Sequence, residues 1–274
     1  MKRDRSSVRM AARRIGGGIR RLRAATAQWL SVGAKIGVEL VYPPQCAFCQ
    51  LEIHGPADGI LLCGGCRRQL TANAHAACPR CAMSIEGMAD AANVGCPRCR
   101  QGDWQLSAAF RLGRYQDELR EAVLRMKHPA GESLATAIGK MLVQSRGDEI
   151  AGWRPEVVVP IPMHWRRRMS RGANSPDLFA ATISRRLGVP LALGALARSR
   201  LTRPQTELPP EERAENIRGA LHVRSSWDFS EARVLLVDDV MTTGATANES
   251  ARILGRAGAS DVAIAVVARA EAPH

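Results

Sequence analysis

The chain has 274 residues, is 46% hydrophobic and carries a formal net charge of +13. That is enough for one medium domain with a real core plus a smaller module. No apolar run is long enough to span a bilayer, so no transmembrane segment is expected, and the positive charge points to an anionic partner without naming it. Much of the charge is local: residues 1–23 hold nine Lys or Arg against one Asp, leaving only +5 for the other 251 residues. This segment reads either as a solvated tail or as an arm that touches nucleic acid or anionic lipid. It is no secretory signal, because arginines run on to Arg23 and no continuous apolar stretch follows before Lys35 and Glu39. An Arg-rich, acid-poor start also fits an organellar transit peptide, but nothing else in the chain suggests an organelle, so the expected location is the cytoplasm.

Residues 28–41 read as a short helix stopped by Pro43 and Pro44, so residues 1–40 form a basic tail with a short helix. Residues 41–103 contain all eight cysteines, with Gly and Pro between them and few large apolar residues; such a stretch cannot fold on buried area alone. Residues 104–274 form the larger unit. Residues 104–115 read as a strand or linker. Leu119, Ala122, Val123 and Met126 then fall at helical spacing, as do Leu134, Ala137, Ile138, Met141 and Leu142, with a break at His128-Pro129-Ala130-Gly131. From Val157 strands alternate with helices. Residues 157–161 and 234–237 are continuous apolar runs, Val189-Pro190-Leu191 and residues 220–223 are short strand candidates, and residues 262–267 form a last strand. Ser175 and Pro176 look like an N-cap and first helical position, Gly188 like that helix's stop, and residues 245–257 like a helix burying Ala247, Ala251 and Leu254. The pattern predicts an α/β domain with a parallel sheet.

The cysteines occur as four C-x-x-C pairs: Cys46/Cys49, Cys63/Cys66, Cys78/Cys81 and Cys96/Cys99. Two such knuckles present four thiolates to one tetrahedral Zn²⁺, so eight thiolates suit two structural zincs. Sequential pairing closes loops of nearly equal length, as in a duplicated zinc ribbon, while a crossed pairing of first with third and second with fourth remains open. Disulfides conflict with the missing secretory signal. Four thiolates close each site, which leaves His54 and His75 as loop residues. Zinc ribbons often present basic residues to nucleic acid, and Arg67, Arg68, Arg80, Arg98 and Arg100 flank these knuckles.

The stretch from Val237 to Thr246 reads VDDVMTTGAT, between a buried strand and a helix. Backbone N–H groups and the helix dipole at such a turn favour a phosphate. Gly244 permits close approach, Thr242, Thr243 and Thr246 add hydroxyls, and Ala245 opens the helix. Asp238 and Asp239 stand at the C-terminal end of the strand, where open α/β sheets bind ligands. Two carboxylates beside a phosphate cradle make sense as acceptors for ribose hydroxyls. No Walker motif is present.

This loop resembles that of type I phosphoribosyltransferases, which bind phosphoribosyl pyrophosphate (PRPP). With four C-x-x-C pairs upstream, the chain resembles the ComF family of competence-associated, phosphoribosyltransferase-like proteins. Further motifs in family order are Pro160-Ile161-Pro162-Met163-His164, Arg171-Gly172-Ala173-Asn174, Leu201-Thr202-Arg203-Pro204-Gln205-Thr206 and Glu212-Arg213-Ala214-Glu215-Asn216. The second departs from the family's R-G-F-N-Q, since Ala173 and Ser175 replace the aromatic and the amide. The resemblance implies a type I phosphoribosyltransferase-like fold behind a double zinc ribbon. It also implies PRPP or another ribose phosphate as ligand with Mg²⁺, a pyrophosphate loop or lid containing His164, Arg203 and Arg213, and single-stranded DNA and competence proteins as partners. Lys127 is a further candidate for charge near the diphosphate. No stretch specifies an acceptor base, so a transferase and a non-catalytic nucleotide sensor or DNA-binding accessory both remain open.

Overall fold

A computed structural model describes residues 43–54, 58–88, 91, 95–163, 175–200, 202–203, 208–209 and 212–271. The basic segment, the helix expected over residues 28–41, His164 and the arginines between 166 and 171 lie outside these residues. The main sheet contains β1 (Ala108–Arg114), β2 (Val157–Pro160), β5 (Arg233–Met241) and β6 (Asp261–Arg269), in the spatial order β1-β6-β5-β2 with every pair parallel. A single parallel bridge from Val158 to Leu191 extends the β2 edge where the short strand at residues 189–191 was expected. The expected all-parallel pattern does not extend to β3 (Leu196–Arg198) and β4 (Leu221–Val223), which pair antiparallel as a separate ribbon. They lie on either side of the proline-rich loop and pair as its two stems, which the alternation of strand and helix does not predict.

The apolar runs become buried strands because both sheet faces are covered. Leu235, Val237, Ala263, Ala265 and Val267 face a core shared with α3 (Asp117–Arg125), α4 (Glu132–Trp153) and α5 (Ser175–Leu187). Their neighbours Val234, Leu236, Val262, Ile264 and Val266 face the other core, where α7 (Ala245–Arg256) contributes Ala247, Ala251 and Leu254. Each fully buried Val, Leu or Ile contributes about 1.5–3 kcal/mol, so the five-fold interleaving fixes strand register. Every residue assigned to the two helical stripes, from Leu119 to Leu142, is buried, and the His128–Gly131 break is a single 3₁₀ turn over Pro129–Gly131. Ser175 is the first residue of α5 itself, and its hydroxyl faces the Met126 carbonyl at 3.5 Å.

The cysteine-rich region is built onto this domain at two places. Its first half, with α1 (Gly64–Thr71), buries Cys46, Phe48, Leu62, Cys66 and Leu70 in the core of α3 and α4. Arg125 donates to the Phe48 carbonyl at 2.7 Å and lies over its ring at 4.9 Å. The second half, with α2 (Pro97–Gln101), has its own core of Cys78, Cys81, Ile85, Ala91, Cys96 and Cys99. It is fastened by the buried pair Arg111–Glu271 at 2.7 Å, with Ser84 donating to the same carboxylate through both its N–H (2.7 Å) and its hydroxyl (2.9 Å). Among the described residues no helix is long and apolar enough to cross a membrane.

Candidate sugar-phosphate site and zinc centres

Within each half of the cysteine-rich region the four sulfurs converge, with all ligand atoms within 4.8 Å of one another. The groups are Cys46, Cys49, Cys63 and Cys66, and Cys78, Cys81, Cys96 and Cys99. The pairing is therefore sequential, and the crossed alternative is excluded. The cysteines are free, not disulfide-bonded. Zn–S bonds of about 2.3 Å in a tetrahedron give S···S edges of about 3.8 Å. The separations are 3.8 Å for Cys49–Cys63 and 3.5 Å for Cys81–Cys96. Backbone N–H groups point at the sulfurs, from Cys63 to Cys46, Cys66 to Cys63 and Cys96 to Cys78, at 3.3–3.4 Å. Such donors stabilise thiolates, so both donor sets fit a closed structural zinc, with no position left for a reacting group.

Of the five flanking arginines, three are engaged within the protein. Arg67 makes a two-pronged ion pair with Asp58, holding that carboxyl well below the usual range, and also donates to the Leu62 and Ile60 carbonyls. Arg80 donates to the Cys99 and Trp104 carbonyls, and Arg98 to the Thr243 carbonyl. Arg68 and Arg100 are exposed.

β5 runs through Asp238 and Asp239 to Met241, and the chain then turns over Thr242, Thr243 and Gly244 into α7, which opens at Ala245. Because β2, β5 and β6 are parallel, their C-terminal ends meet at this turn. Gly244 has φ +82°, a left-handed conformation that residues with a Cβ rarely adopt. The Thr243 hydroxyl accepts from the Ala245 N–H at 3.3 Å, and the Thr246 carbonyl accepts from the Ser250 hydroxyl at 2.8 Å. The turn thus brings Thr242, Thr243, Gly244, Ala245 and Thr246 together at a helix N-terminus, with the two acids beside them.

The acids differ from each other. Asp239 accepts from the Val240 N–H at 2.7 Å through one oxygen and pairs with Lys127 Nζ at 2.9 Å through the other. Asp238 accepts from the Asp239 N–H at 2.8 Å. Although part of Asp238 remains open to solvent, burial of its carboxyl, followed by the Asp239 charge, raises its pKa well above the carboxylate range; the Asp239 N–H and Lys127 oppose that rise. The pair therefore sets the Lys127-paired Asp239 beside an Asp238 that holds its proton more tightly than an ordinary carboxyl.

The lid candidates are placed less directly. Arg213 lies on α6 (Glu212–Ile217), which packs beside α7, and donates to the Leu208 carbonyl at 3.1 Å. Exposed Arg203 exchanges two backbone hydrogen bonds with the Asn216 side chain, at 3.2 and 3.0 Å. Asn216 therefore closes the base of the 203–212 segment and joins two sequence motifs. At the end of β3, Arg198 donates to the Pro162 carbonyl and the Thr202 hydroxyl.

Three residues beside the loop escaped the sequence reading. A methyl group on Gly244 would lie 2.9 Å from Trp104 Cζ3 and closer still to Cη2, so the indole covers that glycine. Asn248 on α7 accepts from the Gln105 N–H and donates to the Asp103 carbonyl. Arg269 is fully buried and spans three carbonyls, of Cys81, Met241 and Ala270, at 2.8–2.9 Å. Burial lowers its pKa to about 10, which leaves it cationic at neutral pH. The available signal was a charged residue at the end of an otherwise apolar strand.

Residues 37–101 match the double zinc ribbon domain family and residues 130–273 the phosphoribosyl transferase domain family. Competence protein F of Haemophilus influenzae is 27% identical over 230 residues, covering 82% of this chain and 97% of its own. DNA utilization protein YhgH of Escherichia coli K12 is 28% identical over 228 residues, covering 82% and 96%. Among solved structures, the glutamine PRPP amidotransferase of B. subtilis, complexed with ADP and GMP, covers 53% of this chain and 30% of its own at 23% identity. Its TM-score of 0.36 is too low to transfer any residue's role.

Proposed function

Because this chain belongs to the phosphoribosyl transferase domain family and is of the ComF type, with a double zinc ribbon ahead of that domain, we propose that it binds PRPP or another ribose phosphate at the turn between β5 and α7. The observation that carries the reading is that turn: a left-handed Gly244 at a helix N-terminus, directly after two carboxylates at the end of a central strand. Backbone donors of residues 242–246 hold the 5′-phosphate, and Asp239 accepts from the ribose hydroxyls. Arg203, Arg213 and Lys127 are our candidates for the diphosphate of PRPP, as is His164 by its motif alone, and the diphosphate brings Mg²⁺ with it. The relatives' names, a competence protein and DNA utilization proteins, support a role in DNA uptake or use. Single-stranded DNA and competence proteins are then the partners, with exposed Arg68 and Arg100 as candidate phosphate contacts and the charge of residues 1–23 adding to the attraction. The cytoplasm is the compartment in which zinc thiolates persist.

Isothermal titration with ribose 5-phosphate, and with PRPP plus Mg²⁺, tests the site. Heat that saturates with either ligand supports the reading, and its absence with both, in folded zinc-loaded protein, overturns it. Incubation with PRPP, Mg²⁺ and a panel of bases then separates the two forms of the function. Pyrophosphate release makes the protein a transferase, and binding without release makes it a sensor or accessory.

A further inference from the structure

The second zinc ribbon leans on the sugar-phosphate turn itself. Trp104 follows that ribbon's last knuckle and packs against both the ribbon's cysteine core and the α7 side of the sheet. Its indole N–H donates to the Arg80 carbonyl at 2.8 Å, and Arg80 returns a bond to the Trp104 carbonyl at 3.2 Å, so the ring is held from the ribbon side. Its six-membered edge covers Gly244 so closely that not even a Cβ fits between them. Arg98, between the ribbon ligands Cys96 and Cys99, donates to the Thr243 carbonyl at 2.9 Å. Arg269 joins the carbonyl of the zinc ligand Cys81 to that of Met241, the last residue before the turn. Gly244 and two residues that precede it, Thr243 and Met241, are thus held by side chains tied to the ribbon.

We propose that Trp104 and Arg98 are positioning residues for the 242–246 turn, so that metal loading of the second ribbon and sugar-phosphate binding at the turn reinforce each other. This rests on the ribose-phosphate reading above. A turn between a strand and a helix can present its N–H groups in several arrangements, and a phosphate needs one of them. The ribbon contacts select one arrangement by closing the space over Gly244 and fixing the carbonyl of Thr243 before it. By linkage, if the folded ribbon favours the binding-competent turn, then ligand favours the folded ribbon by the same factor. The first ribbon makes none of these contacts and serves as an internal control.

The test uses full-length, zinc-loaded protein with ribose 5-phosphate as probe. A chelator is added with an alkylating reagent, and modification of each cysteine is followed by peptide mass spectrometry, with and without a saturating concentration of ligand. The expected result is severalfold slower alkylation of Cys78, Cys81, Cys96 and Cys99 in the presence of ligand, with Cys46, Cys49, Cys63 and Cys66 unchanged. Trp104→Ala and Arg98→Gln should each abolish this protection and raise the dissociation constant about tenfold. Trp104→Phe, which keeps a ring on Gly244, should retain most of both effects and guards against an unfolded alanine variant. If titration shows binding but neither quartet is protected, or both are protected equally, the coupling is absent and the proposal is overturned. If titration shows no binding, the ribose-phosphate reading falls first and this proposal with it.

Discussion

Lys127 Nζ stands 2.9 Å from the Asp239 carboxylate, with only 21% and 14% of the two side chains exposed. The ion pair joins the turn after α3 to the C-terminal part of β5. Beside it, burial and the neighbouring Asp239 charge push the Asp238 carboxyl well above the usual carboxylate range.

Lys127→Ala should separate two parts of the ligand. If the ammonium faces the diphosphate, its loss weakens PRPP by about tenfold, equivalent to roughly 1.4 kcal/mol. Ribose 5-phosphate, which lacks the diphosphate, should bind within a factor of three of wild type. Titration with both ligands decides it; equal weakening would assign Lys127 to the ribose end.

Asp239→Asn should impair ribose 5-phosphate binding more than folding. Each charge-assisted bond lost to a ribose hydroxyl costs about 1.5–3 kcal/mol, which is more than a tenfold rise in dissociation constant. Thr246→Val should cost less, because the backbone donors of the turn remain. Titration should rank the two variants in that order, with melting temperatures close to wild type.

Gly244→Ala should damage both stability and binding, for a reason that the sequence concealed. A left-handed residue with a Cβ costs about 1–2 kcal/mol on conformation alone, and here the Cβ also meets the Trp104 ring. Combining Gly244→Ala with Trp104→Ala should recover part of the denaturant stability by removing the steric component, while ribose 5-phosphate binding stays weak. A double variant no more stable than the sum of the single losses would show that the ring yields freely.

The two sulfur quartets predict about two zinc ions per chain by metal analysis. Chelation should expose all eight thiols and melt the ribbons, since metal binding substitutes for a core that few large apolar residues could supply. A metal-free chain that keeps its ribbon structure would contradict this.

Asp238 gives a pH signature. Its pKa in the folded protein is raised, so the folded state binds its proton more tightly than the unfolded state. Stability is therefore lost as pH rises from the ordinary carboxylate pKa toward the raised value, and is not regained above it. Asp238→Asn, which keeps an oxygen for the Asp239 N–H, should remove this dependence. Melting curves of wild type and variant should diverge with rising pH, and parallel curves would place the proton elsewhere.

The legible parts of the fold were those whose cause is local. The run at residues 234–237 could only be a strand buried on both faces, and the four C-x-x-C pairs announced two metal sites whatever their partners. The strand-to-helix turn that carries the glycine, threonines and acids was readable because these residues are contiguous between an apolar run and a helical stripe. Contacts across long chain separations were not legible. Nothing near Gly244 indicates that Trp104 covers it, nor does the sequence around Arg269 reveal the carbonyls that its guanidinium spans. β3 and β4, three residues each, are too short to show a period, and their antiparallel pairing follows from closure of the loop between them. The sequential cysteine grouping needed coordinates because both groupings satisfy the same spacings.

The order β1-β6-β5-β2 has a consequence for how the protein is made. β1 has no partner in this sheet until β6 exists, since Ala108 aligns with Ala263, and β5 likewise lacks one of its two neighbours until then. On the ribosome, the cysteine knuckles emerge early and can capture metal with their own short loops. The two acids and the turn after them are left on a half-paired strand until the last stretch of chain has been synthesised. The metal modules would thus be assembled while the ligand site is still waiting for its final strand, and a nascent chain stalled before residue 261 should hold zinc but no sugar phosphate.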